Sequence, residues 1–582
     1  MDRPSFRFLQ FANLNYIRVI KIKQRNITQP FSFRILHFSF FIFMAASCAA
    51  QPLSSKKQFT HQDTLRGTIT PERAWWDVLR YDIAVTPDYA TKAIQATNRL
   101  TIKVLRPYNK LQIDLQQPLI IDSILLIAKT GNTPLLFQRE GNAWFVTMPA
   151  LTANTIHSLE VKYHGQPREA VHAPWDGGWI WNKDKQGRPW MTVACQGLGA
   201  SVWYPCKDHQ SDEPDNGASL AITVPDTLVA VGNGRLNAKT PNNNGTTTYT
   251  WEVKNPINNY NIVPYIGKYV TWHEDFAGEK GKLDCDYWVL DYDQEKAQKQ
   301  FTQAAKMLKC FEYWFGPYPF YEDGYKLVET PHLGMEHQSA VAYGNGFQNG
   351  YLGRDLSGTG WGNKWDFIIV HESGHEWFAN NITTNDIADM WVHEGFTNYS
   401  ETLFTTCEYG VEAGNAYCVG TRELIHNDIP IIGPYGVNRE GSDDMYYKGG
   451  NLLHTIRQII NNDSSFRTIL RGLNKTFYHK MVTSKEVEDY ISRRSGIDLS
   501  KIFDQYLRTT QIPVLEYSIK GKDLKFRFTN CIKGFGMPLK VKWSNQEKWI
   551  HANEEWTIIS GNANDTGFSV DRNFYIIVKK AG

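Results

Sequence analysis

The chain has 582 residues, too many for one hydrophobic core, and its length points to three or four domains. An apolar content of 42% and an aromatic content of 13% are those of well-packed globular domains and exclude a disordered or fibrous chain. A net charge of +2, with a pI near 8.0, gives no reason to expect nucleic acid as a partner.

The N-terminus is different in kind. Arg3, Arg7, Arg18, Lys21, Lys23, Arg25 and Arg34 stand against a single acid, Asp2, before the apolar run "ILHFSFFIFMAASCAA". A basic segment, a short apolar core and a small-residue exit read as a secretory signal over residues 1–47, too short to span a bilayer stably. "AASC" at Ala45–Cys48 resembles a bacterial lipoprotein box, with Cys48 as a lipidated mature N-terminus. That reading is favoured over plain cleavage near Ser47 or Ala50, and the lipid would be the chain's one membrane contact. The basic lead exceeds a usual n-region, which leaves room for a start codon downstream of Met1. The expected location, for a bacterial source, is the periplasm or the outer-membrane or cell envelope. Seven cysteines follow Cys48, an odd number at wide spacing without a CxxC pair, so a disulfide framework or cysteine-ligated zinc is not expected.

Residues 48–70 read as a linker and 71–275 as a β domain. "YDIAVTP", "RLTIKVL", "LQIDL", "IIDSILLIA", "AWFVTM", "HSLEVKY", "SLAITVP" and "TTTYTWEV" alternate β-branched or aromatic residues with polar ones, between turn formers such as Asn242–Gly245. Residues 276–510 turn helical: the periodicity predicts helices over 294–314, 363–379, 391–406, 446–461 and 484–508. Residues 511–582 return to alternation and read as a small β-sandwich.

The chemistry concentrates in "IIVHESGHEWFANN". Positions four apart share one helix face, so His371 and His375 can aim both imidazoles at one zinc ion. Glu372 projects about 100° around the helix, too far to be a third ligand, but within reach of a water that zinc has acidified. It is the candidate general base. Catalytic zinc commonly takes three protein ligands. Glu394, 19 positions after His375 in "MWVHEGFTNYSE", can complete a His-His-Glu set. Asn398 and Glu401 share its face and are candidates for orienting the ligands. His393 lies off that face and is not expected to bind metal.

In the form "HESGHEWFANN…DMWVHEGFTNYSE" these residues resemble the aminopeptidase N family of zinc metallopeptidases, to which leukotriene hydrolase also belongs. "HLGMEHQSAV" resembles the family's GxMEN motif, with Leu333 for the first glycine and His337 for the asparagine. The resemblance implies an edge strand at Gly334 and Met335 that pairs with the substrate backbone, and a Glu336 that binds the substrate's free α-amine. "DDMYYKGG" resembles the YxKG segment and implies Tyr446, not Tyr447, as donor to the developing oxyanion. "TVACQGLGASVWYPCKDHQSDEP" resembles the stretch lining the substrate entrance, where Gln196 would share the amine with Glu336; Cys195 and Cys206 read as small buried residues. The implied fold is α+β and multidomain: a saddle-like N-terminal β-sheet domain, a thermolysin-like, mostly helical zinc domain and a small C-terminal β-sandwich. The chain stops at Gly582 without the large helical C-terminal domain of many members, so a more open cleft is expected.

The implied activity is an exported aminopeptidase with one zinc ion per chain, acting on peptides with a free N-terminus. Epoxide hydrolysis and thermolysin-like endopeptidase action are alternatives on the same zinc site. A peptide-binding lipoprotein without activity is the non-enzymatic one, and would be expected to have lost a ligand or the base.

Overall fold

The computed structural model describes residues 58–543, 546–561 and 567–581; the signal segment and Cys48 lie outside them. The expected linker carries a short helix, His61–Gly67. Its capping box explains why: Thr60 and Asp63 satisfy each other's backbone amides at the helix start.

All eight strands anticipated in the N-terminal part are present. Among the described residues six of them, joined by Arg235–Pro241 and Thr133–Pro134, build an eight-stranded sheet in the order Arg235–Pro241, Thr246–Val253, Ala218–Pro225, Trp76–Asp88, Ala93–Val104, Ile156–Gly165, Ile120–Ile127 and Thr133–Pro134, and the other two, Lys110–Asp114 and Ala143–Thr147, lie in a three-stranded sheet. Trp76–Asp88 pairs in parallel with Ala218–Pro225 and antiparallel with Ala93–Val104. Its alternation puts Tyr81, Ile83 and Val85 in the core, as a one-sided strand requires. A four-stranded sheet including Gly178–Lys183 and Pro189–Ala194, strands the sequence reading did not single out, packs into the same core.

The next sheet crosses the expected boundary at 275. Tyr269–Gly278 pairs along its whole length with Gly281–Leu290, and the sheet continues through Tyr325–Glu329 and Val341–Tyr343 to the edge strand Gly334–Met335. A division at 275 would cut the strand Tyr269–Gly278. Helices Gln294–Gln300 and Thr302–Phe315, Phe367–Gly374, Trp391–Tyr409, Tyr447–Ile460, Ser484–Ser495 and Ser500–Arg508 occupy the predicted segments. The last pair was expected as one helix, but Gly496 ends the first in the left-handed region, at φ 71°. Val411–Gly420 and Asp463–Thr476 are additional helices.

One cysteine expectation needs correction. Cys310 and Cys407 form a disulfide joining Thr302–Phe315 to Trp391–Tyr409. Spacing in sequence could not show it, because packing of two helices brings together residues 97 positions apart. Cys195 and Cys206 are buried and unpaired, as expected. The C-terminal residues form two small facing sheets, one built on Val514–Lys520 and Asp523–Thr529, the other on Gly536–Trp543 and Gln546–Asn553. Their inner residues, Phe526, Leu539 and Trp543 among them, join the core of the helical part.

Candidate active site

Phe367–Gly374 is a short, wholly buried helix started by Asp366, whose carboxylate accepts from the Ile368 and Ile369 amides at 3.1 and 3.4 Å. It ends earlier than predicted. His375 is its C-cap, still at helical φ/ψ, so the one-turn spacing to His371 survives. Beyond it Phe378 and Ala379 break the helix, Ala379 at φ 136°. Gly374 lets the second ligand-bearing helix approach, since a Cβ there would lie 2.6 Å from Ser400 Oγ.

Glu394 sits in the first turn of that second helix, Trp391–Tyr409. Its Oε2 lies 3.7 Å from His371 Nε2 and 3.3 Å from His375 Nε2. The outer nitrogens are already engaged: His371 Nδ1 donates to Glu401 Oε1 at 2.7 Å, and His375 Nδ1 to the Phe378 carbonyl at 3.0 Å. Each ring therefore turns its Nε2 inward. Glu394 Oε2 is buried with no hydrogen bond, a cost that a cation between the three groups removes. Two imidazole nitrogens and one carboxylate form the donor set of catalytic zinc, and these residues fit that ion. Burial alone would raise the Glu394 carboxyl, but His375 and His371 outweigh it and hold it well below the usual range.

Glu401 is bonded to His371, and Asn398 to Glu401. Asn398 Nδ2 donates to both Glu401 oxygens at 3.2 Å, and the Tyr417 hydroxyl to Oε2 at 2.7 Å. His393 is set apart from the cluster, accepting the Thr384 amide on Nε2 at 2.9 Å. Burial pushes its pKa down to about 3.

Glu372 faces the same pocket, and burial lifts its carboxyl to about 7 against the pull of both histidines. One oxygen each from Glu336 and Glu372 and a nitrogen of His375 lie within 4.8 Å of one another. Glu336 follows the edge strand Gly334–Met335, which pairs antiparallel with Val341–Tyr343. Leu333, where a glycine is usual, leaves that edge intact: its carbonyl accepts the Gly344 amide at 2.7 Å. His337 turns away into a contact with the Tyr265 hydroxyl. Gln196 Nε2 donates to Glu336 Oε1, and so does the Tyr260 hydroxyl, at 2.8 Å.

The catalytic, metal and substrate-binding candidates of the sequence reading line one open-mouthed pocket: Gln196, Gly334, Met335, Glu336, His371, Glu372, His375, Glu394 and Tyr446. Tyr447 is not among its walls and begins the helix Tyr447–Ile460. Tyr446 stands just before that helix, its ring 6.1 Å from that of His371. The sequence reading missed Tyr260 and the apolar walls Pro174, Trp175, Tyr351, Phe367 and Ile368. Tyr260 lies in "PINNYNIV", which carries only a turn signal.

Residues 300–506 match the peptidase family M1 domain, and residues 78–260 match the peptidase M1 N-terminal domain. The chain belongs to peptidase family M1. It is a zinc metallopeptidase, and its cofactor is one zinc ion. Leukotriene A-4 hydrolase of Xenopus laevis is 22% identical over 446 residues, 72% of this M1 chain and 68% of the relative. Probable aminopeptidase 2 of Sulfurisphaera tokodaii is 19% identical, over 72% of this chain and 53% of its own. Leucine aminopeptidase 2 of Vanderwaltozyma polyspora is 23% identical, over 60% and 52%. This chain thus spans about half the length of these two aminopeptidases. Among solved structures, a mutant M1 zinc metallopeptidase of Deinococcus radiodurans bound to a Tyr-Ser-Ala substrate superposes with a TM-score of 0.64 at 20% identity, over 76% of this chain and 96% of that one. That likeness shows the fold.

Proposed function

We propose that this M1 peptidase is an exported aminopeptidase that removes residues one at a time from peptides with a free N-terminus. The observation that carries this reading is Glu336, buried beside the His-His-Glu cluster at the end of an edge strand. A carboxylate there rewards an ammonium group and leaves a neutral, blocked terminus without a partner. Family membership and the aminopeptidases among the relatives support the same class. The basic and apolar lead supports export, and so does a disulfide between two helices, which oxidising compartments favour.

His371, His375 and Glu394 would hold the zinc ion. When bound, zinc supplies Lewis acidity, polarising the scissile carbonyl and acidifying a water. Glu372 would serve as the general base that takes a proton from the attacking water and returns it to the leaving amine. Tyr446 donates a hydrogen bond to the carbonyl oxygen as it gains charge. The edge of Gly334–Met335 aligns the substrate backbone, and Glu336 with Gln196 receives the α-amine. Pro174, Trp175, Leu333, Tyr351, Phe367 and Ile368 make the remaining walls mostly apolar, which favours apolar side chains beside the cut.

The test is a time course on one peptide in free and acetylated forms, read by mass spectrometry. The free form should shorten stepwise from its N-terminus while the acetylated form persists. Internal cuts, or equal rates on both forms, would favour an endopeptidase instead.

A further inference from the structure

The Glu336 carboxylate is gripped on one oxygen. Gln196 Nε2 and the Tyr260 hydroxyl both donate to Oε1. No other side chain among the described residues bonds this carboxylate. Two donors on one oxygen fix the plane of the group and leave Oε2 for whatever enters the pocket.

Tyr260 reaches this point from the N-terminal part of the chain. It lies in the short turn Asn259–Asn261, all of it buried, between the strands Thr246–Val253 and Tyr265–Gly267. Side-chain hydrogen bonds tie the turn to its neighbours. Asn258 Oδ1 accepts the Tyr260 amide at 3.3 Å, and Asn259 Nδ2 donates to the Lys207 carbonyl at 3.1 Å. Asn261 Nδ2 donates to Asn380 Oδ1 at 2.7 Å, and Asn380 Nδ2 to the Glu336 carbonyl at 2.8 Å. One turn therefore holds Glu336 twice, at its side chain through Tyr260 and at its backbone through Asn380. A flexible donor could satisfy a carboxylate, but only a rigid one specifies where its free oxygen points. A hydroxyl carried on a buried ring is rigid.

We infer that Tyr260 is a positioning residue for the amine anchor: with Gln196 it locks Glu336 Oε1, so that Oε2 meets the substrate's ammonium. The inference rests on the aminopeptidase reading and deepens it. Tyr260 acts on the substrate only through Glu336, so its loss should weaken amine recognition and leave the chemical step nearly untouched.

The experiment uses the zinc-loaded enzyme and two inhibitors, leucine hydroxamate and its des-amino analogue, alongside steady-state kinetics on a free-amine substrate. In Tyr260→Phe, KM should rise about tenfold with kcat changed by less than about threefold, the pattern of a lost binding contact to a charged group. Affinity for leucine hydroxamate should fall by a similar factor, while that for the des-amino analogue holds. A general disturbance of the fold would weaken both inhibitors alike and overturn the inference. So would a variant that discriminates between them as well as the wild type does. Wild-type enzyme indifferent to the amine would overturn the aminopeptidase reading itself. If Tyr260→Phe does not fold, 4-fluorophenylalanine at this position fills the hydroxyl's space without donating, and the same comparison decides.

Discussion

Four carboxylates crowd the two histidines, and geometry gives each different work. Glu394 points a bare, buried oxygen at both Nε2 atoms, whereas Glu401 spends its oxygens on His371, Asn398 and Tyr417. Replacing His371, His375 or Glu394 by Ala should therefore remove both zinc and activity. Glu372→Gln should keep zinc near one per chain and lose activity by several orders of magnitude, since an amide cannot take a proton. Metal analysis finding Glu372→Gln as depleted as the ligand variants would end its assignment as base. Glu401→Gln should weaken zinc binding by about 10–100-fold, the usual cost of losing a partner that orients a ligating histidine. Competition with a chelator measures this directly. Tyr446→Phe should lower kcat by about 10²–10³-fold, as for one lost oxyanion donor. If Tyr447→Phe shows that loss and Tyr446→Phe does not, the roles of the two tyrosines are reversed.

The edge strand Gly334–Met335 and the helix Phe367–Gly374 meet closely enough that one methyl group is a test. A Cβ on Gly334 would lie 2.8 Å from Glu372 Oε1 and 2.9 Å from Ile368 Cγ2. Gly334→Ala must push the base or tilt the helix, so kcat should fall while zinc content stays near one per chain. Unchanged kcat would mean that the strand yields more easily than its pairing with Val341–Tyr343 suggests. Gly334, His371, Glu372, His375 and Glu394 were all legible in sequence as a candidate set because each sits in a short motif whose spacing is local. The long helices and six of the eight strands of the first sheet were legible for the same reason, through periodicity. What sequence could not show depends on contacts across the chain. Tyr260 lies 76 residues from Glu336, and the disulfide partners lie 97 apart. Trp175 was hidden in another way: it stands in a turn-rich loop, where no periodicity marks a residue as the wall of a pocket.

At the scale of the whole molecule, neither half makes the pocket alone. The N-terminal part supplies Pro174, Trp175 and Gln196 to its walls, with Tyr260 bonded to Glu336, and the helical part supplies His371, Glu372, His375 and Glu394. Trp175→Ala should accordingly lower kcat/KM more for substrates with large apolar residues than for those with alanine, with zinc retained. The two halves must therefore stay docked, and one contact between them titrates. Glu213, in the N-terminal part, accepts a hydrogen bond from the Thr383 hydroxyl of the catalytic part. Burial lifts its carboxyl to about 8, aided by Asp212 and Asp215 and opposed by the Thr383 bond. A carboxyl raised in the folded state favours folding while it is protonated. Its contribution is complete below the ordinary glutamate range and is lost as pH rises toward and through 8. Glu213→Gln keeps a neutral acceptor for Thr383 at every pH. The melting temperature of the wild type should thus fall more steeply than that of Glu213→Gln between pH 5 and pH 9. Other buried acids raised to about 8, Glu329 and Glu440 among them, add to the wild-type slope but remain in the variant and cancel in the comparison. Calorimetry of both proteins across that window reads the difference. Parallel curves would mean that Glu213 is ionised at the interface throughout, and that docking of the two halves does not depend on its proton.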